Sequence, residues 1–462
     1  MTKDIKNNDI SFFPSSYDDN KYLLDFLNKT SEIICQWFTE SNQLNPLPTQ
    51  NHSVMASPNY SGCNSEELLR DIKKLIYSSF NPVHPGSLAH LDPPPLSVSI
   101  IGDLIAGSLN NNLLAEDLSP SISMLENELC KWLANRLGYG TNSGGIAASG
   151  GTLNNLNALV TARTNAGLEY DPEASFIISK DAHVSFNKCA KILGLMEENI
   201  ILVDTDEKGR MSIKSLIKTL ENVKNNQKKI FAVVGTLGTT IRGAIDPLFN
   251  INEICKEENI WLHVDASIGG VYALFNQDFL EPSNLSFGNS ITINPQKIIG
   301  ITKTSSLLLV ENFNCLKNTF YTGLPYVDSD EDTLNRGELG VQGSRPAEII
   351  KLWLGLRFLG INGIDLILKE SINKRTSFEK LLDKDKFKIY SGPLHIISFV
   401  PKKMNVDESN LWTLNTKKFL SNNNYMISRP FYNNRYLLRI VLGNYNTNYH
   451  HLKELADILN ER

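Results

Sequence analysis

The sequence predicts an α/β fold in which a mostly parallel sheet is covered by helices, with a helical segment ahead of it and a smaller α+β layer after it. Three observations carry that prediction. From Gly145 onward, short apolar runs alternate with stretches whose apolar residues recur at three and four positions. Polar residues collect directly after several of those runs, where an open α/β sheet gathers its ligands. The 462-residue chain also exceeds what one hydrophobic core organises. The expected division is a helical segment at 1–80, a large domain at 81–342 and a C-terminal α+β domain at 343–462.

Composition narrows the function class. A hydrophobic fraction of 41% and a charged fraction of 21% are those of an ordinary soluble protein. The net charge of −5, with no long basic block, gives no reason to expect nucleic acid or an anionic membrane as partner. No apolar run approaches the roughly 20 residues that span a bilayer, and the polar start MTKDIKNNDISFF lacks the regions of a signal peptide. A cytoplasmic protein acting on a small molecule is therefore expected. The six cysteines are far apart with no CxxC pair, so they read as free thiols, and no metal is expected.

In chain order, Tyr22–Asn42 and Glu66–Phe80 carry apolar residues at helical spacing, separated by a Pro/Asn/Ser-rich connector that cannot hold a core. The proline-rich stretch HPGSLAHLDPPP follows, with His84, His90 and Asp92 as candidate pocket residues. Ser119-Pro120 then opens an amphipathic helix that Gly138 stops. The run GIAASGGTLNNLN is a strand, a glycine pair and a helix start at Thr152, a combination suited to an anion such as phosphate. Further strands are predicted at Ser175–Ser179, Ile200–Val203, Ile230–Val234, Ile260–Val264, Ser290–Ile293 and Ser305–Val310, with helices at Ser212–Val223 and Ile251–Glu257 between them. A long amphipathic helix starts in Gly343–Gly360. Strands at Leu394–Val400 and Tyr436–Leu442 and a helix at His451–Asn460 complete the last domain.

The chemistry-bearing residues stand at strand ends. His183 follows the Ser175–Ser179 run. Thr236, Thr239, Thr240 and Asp246 follow Ile230–Val234. Asp265 ends the run Ile260–Val264 and, as a buried acid, needs a cationic partner. Lys297 follows Ser290–Asn294, and a lysine aimed at an acid-lined crevice suggests carbonyl chemistry through an imine.

From about His84 to the C-terminus the chain resembles the pyridoxal-phosphate-dependent amino-acid decarboxylases, the group that includes the aromatic amino-acid, glutamate and cysteine-sulfinate enzymes. The resemblance rests on HPG, SPSISMLE, ASGGTLNN, DAHVSFNKCA, TLGTTIRGAIDP, HVDASIGG, NPQK and GSR before a KLW helix, in family order and spacing. It implies a fold type I transferase-like architecture, pyridoxal 5'-phosphate as cofactor and an amino acid as substrate. It implies Lys297 as the imine-forming lysine, Asp265 on the pyridine nitrogen and His183 stacked on the ring. Gly151, Thr152, Ser290 and Asn294 match positions around the phosphate, and Thr240 one beside the acid and ring. Arg345 matches an arginine near the substrate carboxylate, and His84 and Tyr326 are further candidate substrate-side residues read from the loops that hold them. A homodimer is also implied, with N-terminal helices wrapped on the partner and both chains contributing to each site.

Three departures qualify the implied chemistry. Gln296 stands where the family has a histidine before the lysine, and it cannot carry a proton. Ser267 replaces a second alanine after the acid. The segment Asp328–Leu339 contains no tyrosine where aromatic members place the proton donor, which leaves Tyr321, Tyr326 or His183 for that role. The expected reaction is decarboxylation of an L-amino acid to its amine. The alternatives are an oxygen-dependent decarboxylation that gives an aldehyde, and a non-catalytic homologue. Substrate choice is expected to rest on the loops His84–Pro95, Leu109–Ala115 and Tyr321–Tyr326.

Overall fold

The computed structural model describes residues 20–48, 54, 56–276, 287–323, 333 and 335–462. Helices α1 (Asn20–Glu40) and α2 (Ser65–Tyr77) lead the chain, and neither buries a residue. The second starts on a reciprocal cap, in which the Asn64 side chain accepts from Glu67 N and the Glu67 side chain accepts from Asn64 N. Helices α3 (Ser97–Leu109) and α4 (Pro120–Arg136) follow, the latter entered through a proline whose missing N–H costs nothing at that position.

The alternating region runs β1 (Gly144–Ala148), α5 (Gly151–Asn165), β2 (Ser175–Ser179), α6 (Ser185–Ile192), β3 (Ile200–Val203), α7 (Ile213–Asn225), β4 (Ile230–Thr236), α8 (Leu248–Glu257), β5 (Trp261–Ala266), α9 (Gly270–Phe275), β6 (Ser290–Ile293), β7 (Ser306–Val310) and α10 (Asn314–Phe320). Its seven-stranded sheet has the order β1-β7-β6-β5-β4-β2-β3. Neighbours from β6 through β3 pair parallel, whereas β7 is antiparallel to both β6 and β1. Ile177, Val233, Leu262, Val264, Ile291 and Leu309 are fully buried along its centre, each side chain worth roughly 1.5–3 kcal/mol of transfer free energy. Burial on both faces explains why these strands read as continuous apolar runs rather than alternating ones.

The last part holds α11 (Ile349–Leu381), β8 (Phe387–Ser391), β9 (Ile396–Pro401), α12 (Val406–Asn422), β10 (Phe431–Tyr432), β11 (Arg435–Tyr436), β12 (Leu438–Val441) and α13 (Tyr449–Glu461). A three-stranded antiparallel sheet, β12-β9-β8, packs a second core around Phe378, Phe387, Phe399, Leu438 and Leu455. Gly360 breaks α11 with φ 60° and ψ 177°, a backbone state that glycine adopts without steric cost.

The predicted strands of the large sheet are observed, with ends displaced by at most a few residues. Four helices escaped prediction: α3, whose Gly102 and Gly107 weaken the helical signal, the short α9 and α10, and the Asn- and Thr-rich α12. The stretch after residue 81 belongs physically with the C-terminal layer. Leu88 N donates to Met426 O, Val441 N donates to Leu88 O, and the Asn444 amide donates to the carbonyls of Pro82 and His84. Proline-rich backbone with few internal partners takes the ones that β12 and its neighbours offer. Among the described residues no helix is long and apolar enough to cross a membrane, and no cluster of three or more His, Cys, Asp or Glu is placed to hold a metal ion.

Candidate active site

A cavity of about 230 Å³ opens at the C-terminal ends of the parallel strands. Its walls come from the start of α5 (Gly151, Thr152, Asn155), from His183 after β2, from Thr236, Thr239 and Thr240 at the end of β4, from Asp265 and Ser267 at the end of β5, and from Asn294 and Lys297 after β6. Four strand ends that are distant in sequence thus converge because parallel strands all terminate at one edge.

Asp265 is 5% exposed. Its Oδ1 accepts from Ser267 N at 3.1 Å and its Oδ2 from Asn155 Nδ2 at 3.2 Å. Burial works to raise its pKa, but the Lys297 ammonium and the Ser267 hydrogen bonds outweigh it and hold the carboxyl below its usual range. Lys297 is shifted the other way: burial lowers the pKa of its amine, against the opposing pull of Asp265 and Asp92. Desolvation likewise draws the His183 imidazole below its ordinary value. Its Nδ1 accepts from Ser185 N at 3.2 Å, which leaves Nε2 to hold the proton of the neutral ring.

The residues present fit pyridoxal phosphate. Helix α5 begins with no side-chain cap, so its first N–H groups and its dipole are available to a phosphate. Gly151 is required there, because a Cβ would lie 2.8 Å from both Asn294 Nδ2 and Ser267 Oγ and would fill the cradle. The buried Asp265 suits a protonated ring nitrogen, and the lysine amine suits an aldehyde. Gln296, at the departure from the family histidine, uses its amide oxygen to accept from Ser305 N.

Gly151, Thr152, His183, Thr240, Asp265, Asn294 and Lys297 are therefore brought together, and three predicted residues are not. Ser290 begins β6, at the edge of the sheet away from the cavity, where it is fully buried against Trp261 and His263. Arg345 is a core residue: its Nη1 and Nη2 each donate to Glu126 at 2.7 Å, while Arg336 Nε donates to the same carboxylate at 3.0 Å. His84 lines a separate cavity of about 720 Å³ with Phe38, Tyr425 and His451. Burial there, with a smaller effect from His451, brings its pKa down to about 4. Tyr326 lies outside the described residues. Asp246, singled out among the glycines after β4, accepts from Thr236 N and Met211 N and so pins the strand end rather than facing the cavity.

Two residues were missed. Asn155 was hidden in an ordinary helix, one turn after its start. Arg439, in the middle of β12, is 8% exposed and donates to the carbonyls of Thr240 and Ala89 and to Ser428 Oγ. All three acceptors are neutral, so its charge is unbalanced, and burial lowers its pKa. An arginine flanked by leucine and isoleucine in a buried strand was the available signal.

Comparison with known proteins gives the same direction. Residues 52–399 match the model of the pyridoxal-dependent decarboxylase conserved domain. The chain is 29% identical over 331 residues to an aromatic-L-amino-acid decarboxylase of Bacillus atrophaeus, covering 70% of this chain and 69% of that one. It is 29% identical over 381 residues to a cysteine sulfinic acid decarboxylase of Rattus norvegicus, covering 76% and 74%. Among solved structures, an Oryza sativa TDC with PLP and tryptamine superposes with a TM-score of 0.89 at 19% identity, over 97% of this chain and 98% of that one. That likeness concerns the fold.

Proposed function

Because the chain belongs to the pyridoxal-dependent decarboxylase family, we propose that it removes the α-carboxylate of an L-amino acid as carbon dioxide and releases the amine. The observation that carries this reading is the placement of Lys297 and Asp265 in one cavity with an uncapped helix start. When bound, pyridoxal phosphate supplies an aldehyde that condenses with amines and a ring that withdraws electrons from the bonds at the substrate Cα.

The chain's own residues supply the rest. Lys297, its pKa lowered by burial, holds a reactive unprotonated amine at a higher fraction than a surface lysine would. Asp265, held below the usual carboxylate range in a buried site, would keep a proton on the ring nitrogen of the bound cofactor. Helix α5, Thr152 and Asn294 bind phosphate. Arg439, a buried cation with no acidic partner among the described residues, offers its charge to the substrate carboxylate from the C-terminal layer. His183 carries a proton on Nε2 at the cavity and is the described residue best placed to return one to the substrate Cα.

A homodimer completes the reading. Helices α1 and α2 bury nothing within the chain, and Leu24, Leu75, Ile101, Leu104 and Leu109 are exposed on the N-terminal helices. Such faces favour a second copy as cover. Light scattering at micromolar concentration checks this, and a monomer would refute it.

The reaction is tested with a panel of L-amino acids and the cofactor-loaded protein, reading amine, carbon dioxide, aldehyde and oxygen uptake. The reading expects equal amounts of amine and carbon dioxide with no oxygen consumed. Aldehyde with peroxide would replace it by the oxidative reaction. No product from any amino acid, with the cofactor still bound, would overturn it.

A further inference from the structure

The Ser290 hydroxyl belongs to a buried chain of hydrogen bonds whose direction is fixed at both ends. Trp261 Nε1 lies 2.9 Å from Ser290 Oγ, and an indole N–H only donates. At the other end Asn155 Nδ2 lies 3.2 Å from Asp265 Oδ2, and an ionised carboxylate only accepts. Between them stands His263, with Nδ1 2.9 Å from Ser290 Oγ and Nε2 3.2 Å from Asn155 Oδ1.

The protons follow by elimination. Asn155 directs its amide N–H groups to Asp265 and to Ser185 Oγ, so its Oδ1 must accept. His263 Nε2 therefore carries a hydrogen. Nδ1 is then bare and accepts the Ser290 O–H, and Ser290 Oγ is left free to receive the indole N–H. Every donor points from Trp261 toward Asp265. None of the five is open to water: Trp261 is 8% exposed, Ser290 0%, His263 0%, Asn155 1% and Asp265 5%.

We propose that His263 is a positioning residue, held by Trp261 and Ser290 in its neutral Nε2–H tautomer, which through Asn155 keeps Asp265 oriented and anionic toward the ring nitrogen of the cofactor. This role rests on the reading of Asp265 given above. A second proton on His263 would turn Nδ1 into a donor, which Ser290 Oγ could take on its second lone pair, but it would cost the Ser290 hydrogen the acceptor that Nδ1 gives it in a dry interior. Burial acts in the same direction, bringing the His263 pKa down to about 4. The edge of the Phe186 ring packs against the imidazole at 6.4 Å and excludes water from that side. A chain of dipoles polarised one way strengthens each of its members and stabilises the negative end.

The test uses the full chain, labelled with imidazole-¹⁵N histidine, with and without pyridoxal phosphate, beside the variants Ser290→Ala, His263→Gln and Asp265→Asn. His263 signals, identified by their loss in His263→Gln, should show a protonated Nε2 and a bare Nδ1 from about pH 6 to about pH 9, where an ordinary histidine titrates. Ser290→Ala should weaken cofactor binding about tenfold, the lower end for loss of an outer hydrogen bond at a bound group. It should also move the visible absorption of the bound cofactor in the direction that Asp265→Asn moves it, by less. A purely packing role would lower the melting temperature without moving that band. A proton on Nδ1 would overturn the proposal. So would wild-type affinity and spectrum in both Ser290→Ala and His263→Gln while Asp265→Asn loses them. If Asp265→Asn itself leaves affinity and spectrum unchanged, the ring-nitrogen assignment fails, and this role falls with it whatever the tautomer.

Discussion

Replacing Arg345 with methionine removes one of the two guanidinium groups that neutralise Glu126 in the interior. The Glu126 side chain is 0% exposed and that of Arg345 7%, so neither charge is screened by solvent. Burial alone would raise the Glu126 pKa; Arg345 and then Arg336 pull it down instead, from 4.5 to about 2. At about 1.4 kcal/mol per pKa unit, that difference amounts to about 3 kcal/mol of folding stability. That figure is the net of burial and both arginines; removing one partner of a buried pair typically costs about 3–5 kcal/mol, the same order. The sign follows from a folded pKa below the unfolded one: the contribution is complete above about pH 4.5 and is lost as the pH falls toward about 2. Arg345→Met should therefore lose about 3 kcal/mol in urea unfolding at pH 7 and show a shallower loss of stability on acidification. With Arg345 in the core, residual activity at low temperature should keep its KM. A loss under about 1 kcal/mol together with a raised KM would refute the buried pair and return Arg345 to the substrate.

Other expectations follow from single side chains. Lys297→Ala should abolish the visible band of the cofactor-loaded protein, and borohydride should then leave no pyridoxyl mass on the peptide that carries Lys297 in the parent. Gly151→Ala should leave the melting temperature unchanged or higher, since alanine favours a helix start, yet weaken cofactor binding about tenfold or more by filling the cradle against Asn294 and Ser267; titration of cofactor absorbance reads it. Gly360→Ala places a side chain at φ 60°, and thermal unfolding should show a loss of about 1–2 kcal/mol with activity at low temperature retained.

Much of the fold was legible because its strands are buried on both faces and separate cleanly from the helices between them. The site was legible where a motif ends at the ligand edge: Asp265 at the end of β5, and Lys297 and Asn294 after β6. Ser290 shows where motif reading fails. It lies in the same short run as Asn294, yet a parallel strand presents only its C-terminal end to ligands, and Ser290 is at the other end. Arg345 could not be read because its partner, Glu126, lies 219 positions earlier on a different helix. Arg439 and Asn155 depend in the same way on contacts between distant parts of the chain. Helix α3 carries glycine for packing: a Cβ on Gly102 would lie 2.6 Å from Lys351 Cα, so the residue that weakens the helical pattern permits close packing of α3 on α11.

The charges around the cavity decide which ligand it favours. Asp265 contributes one negative charge, Lys297 and Arg439 contribute two positive ones when protonated, and His183 is neutral, so the balance is one positive charge, to which α5 adds the partial charge of its N-terminus. A chain of net charge −5 thus keeps a cationic pocket. A phosphate at α5 and a carboxylate at Arg439 would reverse that sign. The Lys297 ammonium, which Asp265 and Asp92 favour and Arg439 disfavours, would hold its proton more tightly once the phosphate is seated. Departure of that carboxylate as neutral carbon dioxide would remove negative charge from beside Arg439 and leave the cation facing only the two carbonyls and the Ser428 hydroxyl again. With the phosphate and the carboxylate seated, a second negative group in the substrate side chain would therefore add to a negative balance. A basic side chain would instead be drawn by that balance, whereas Asp92 is already engaged by Lys303.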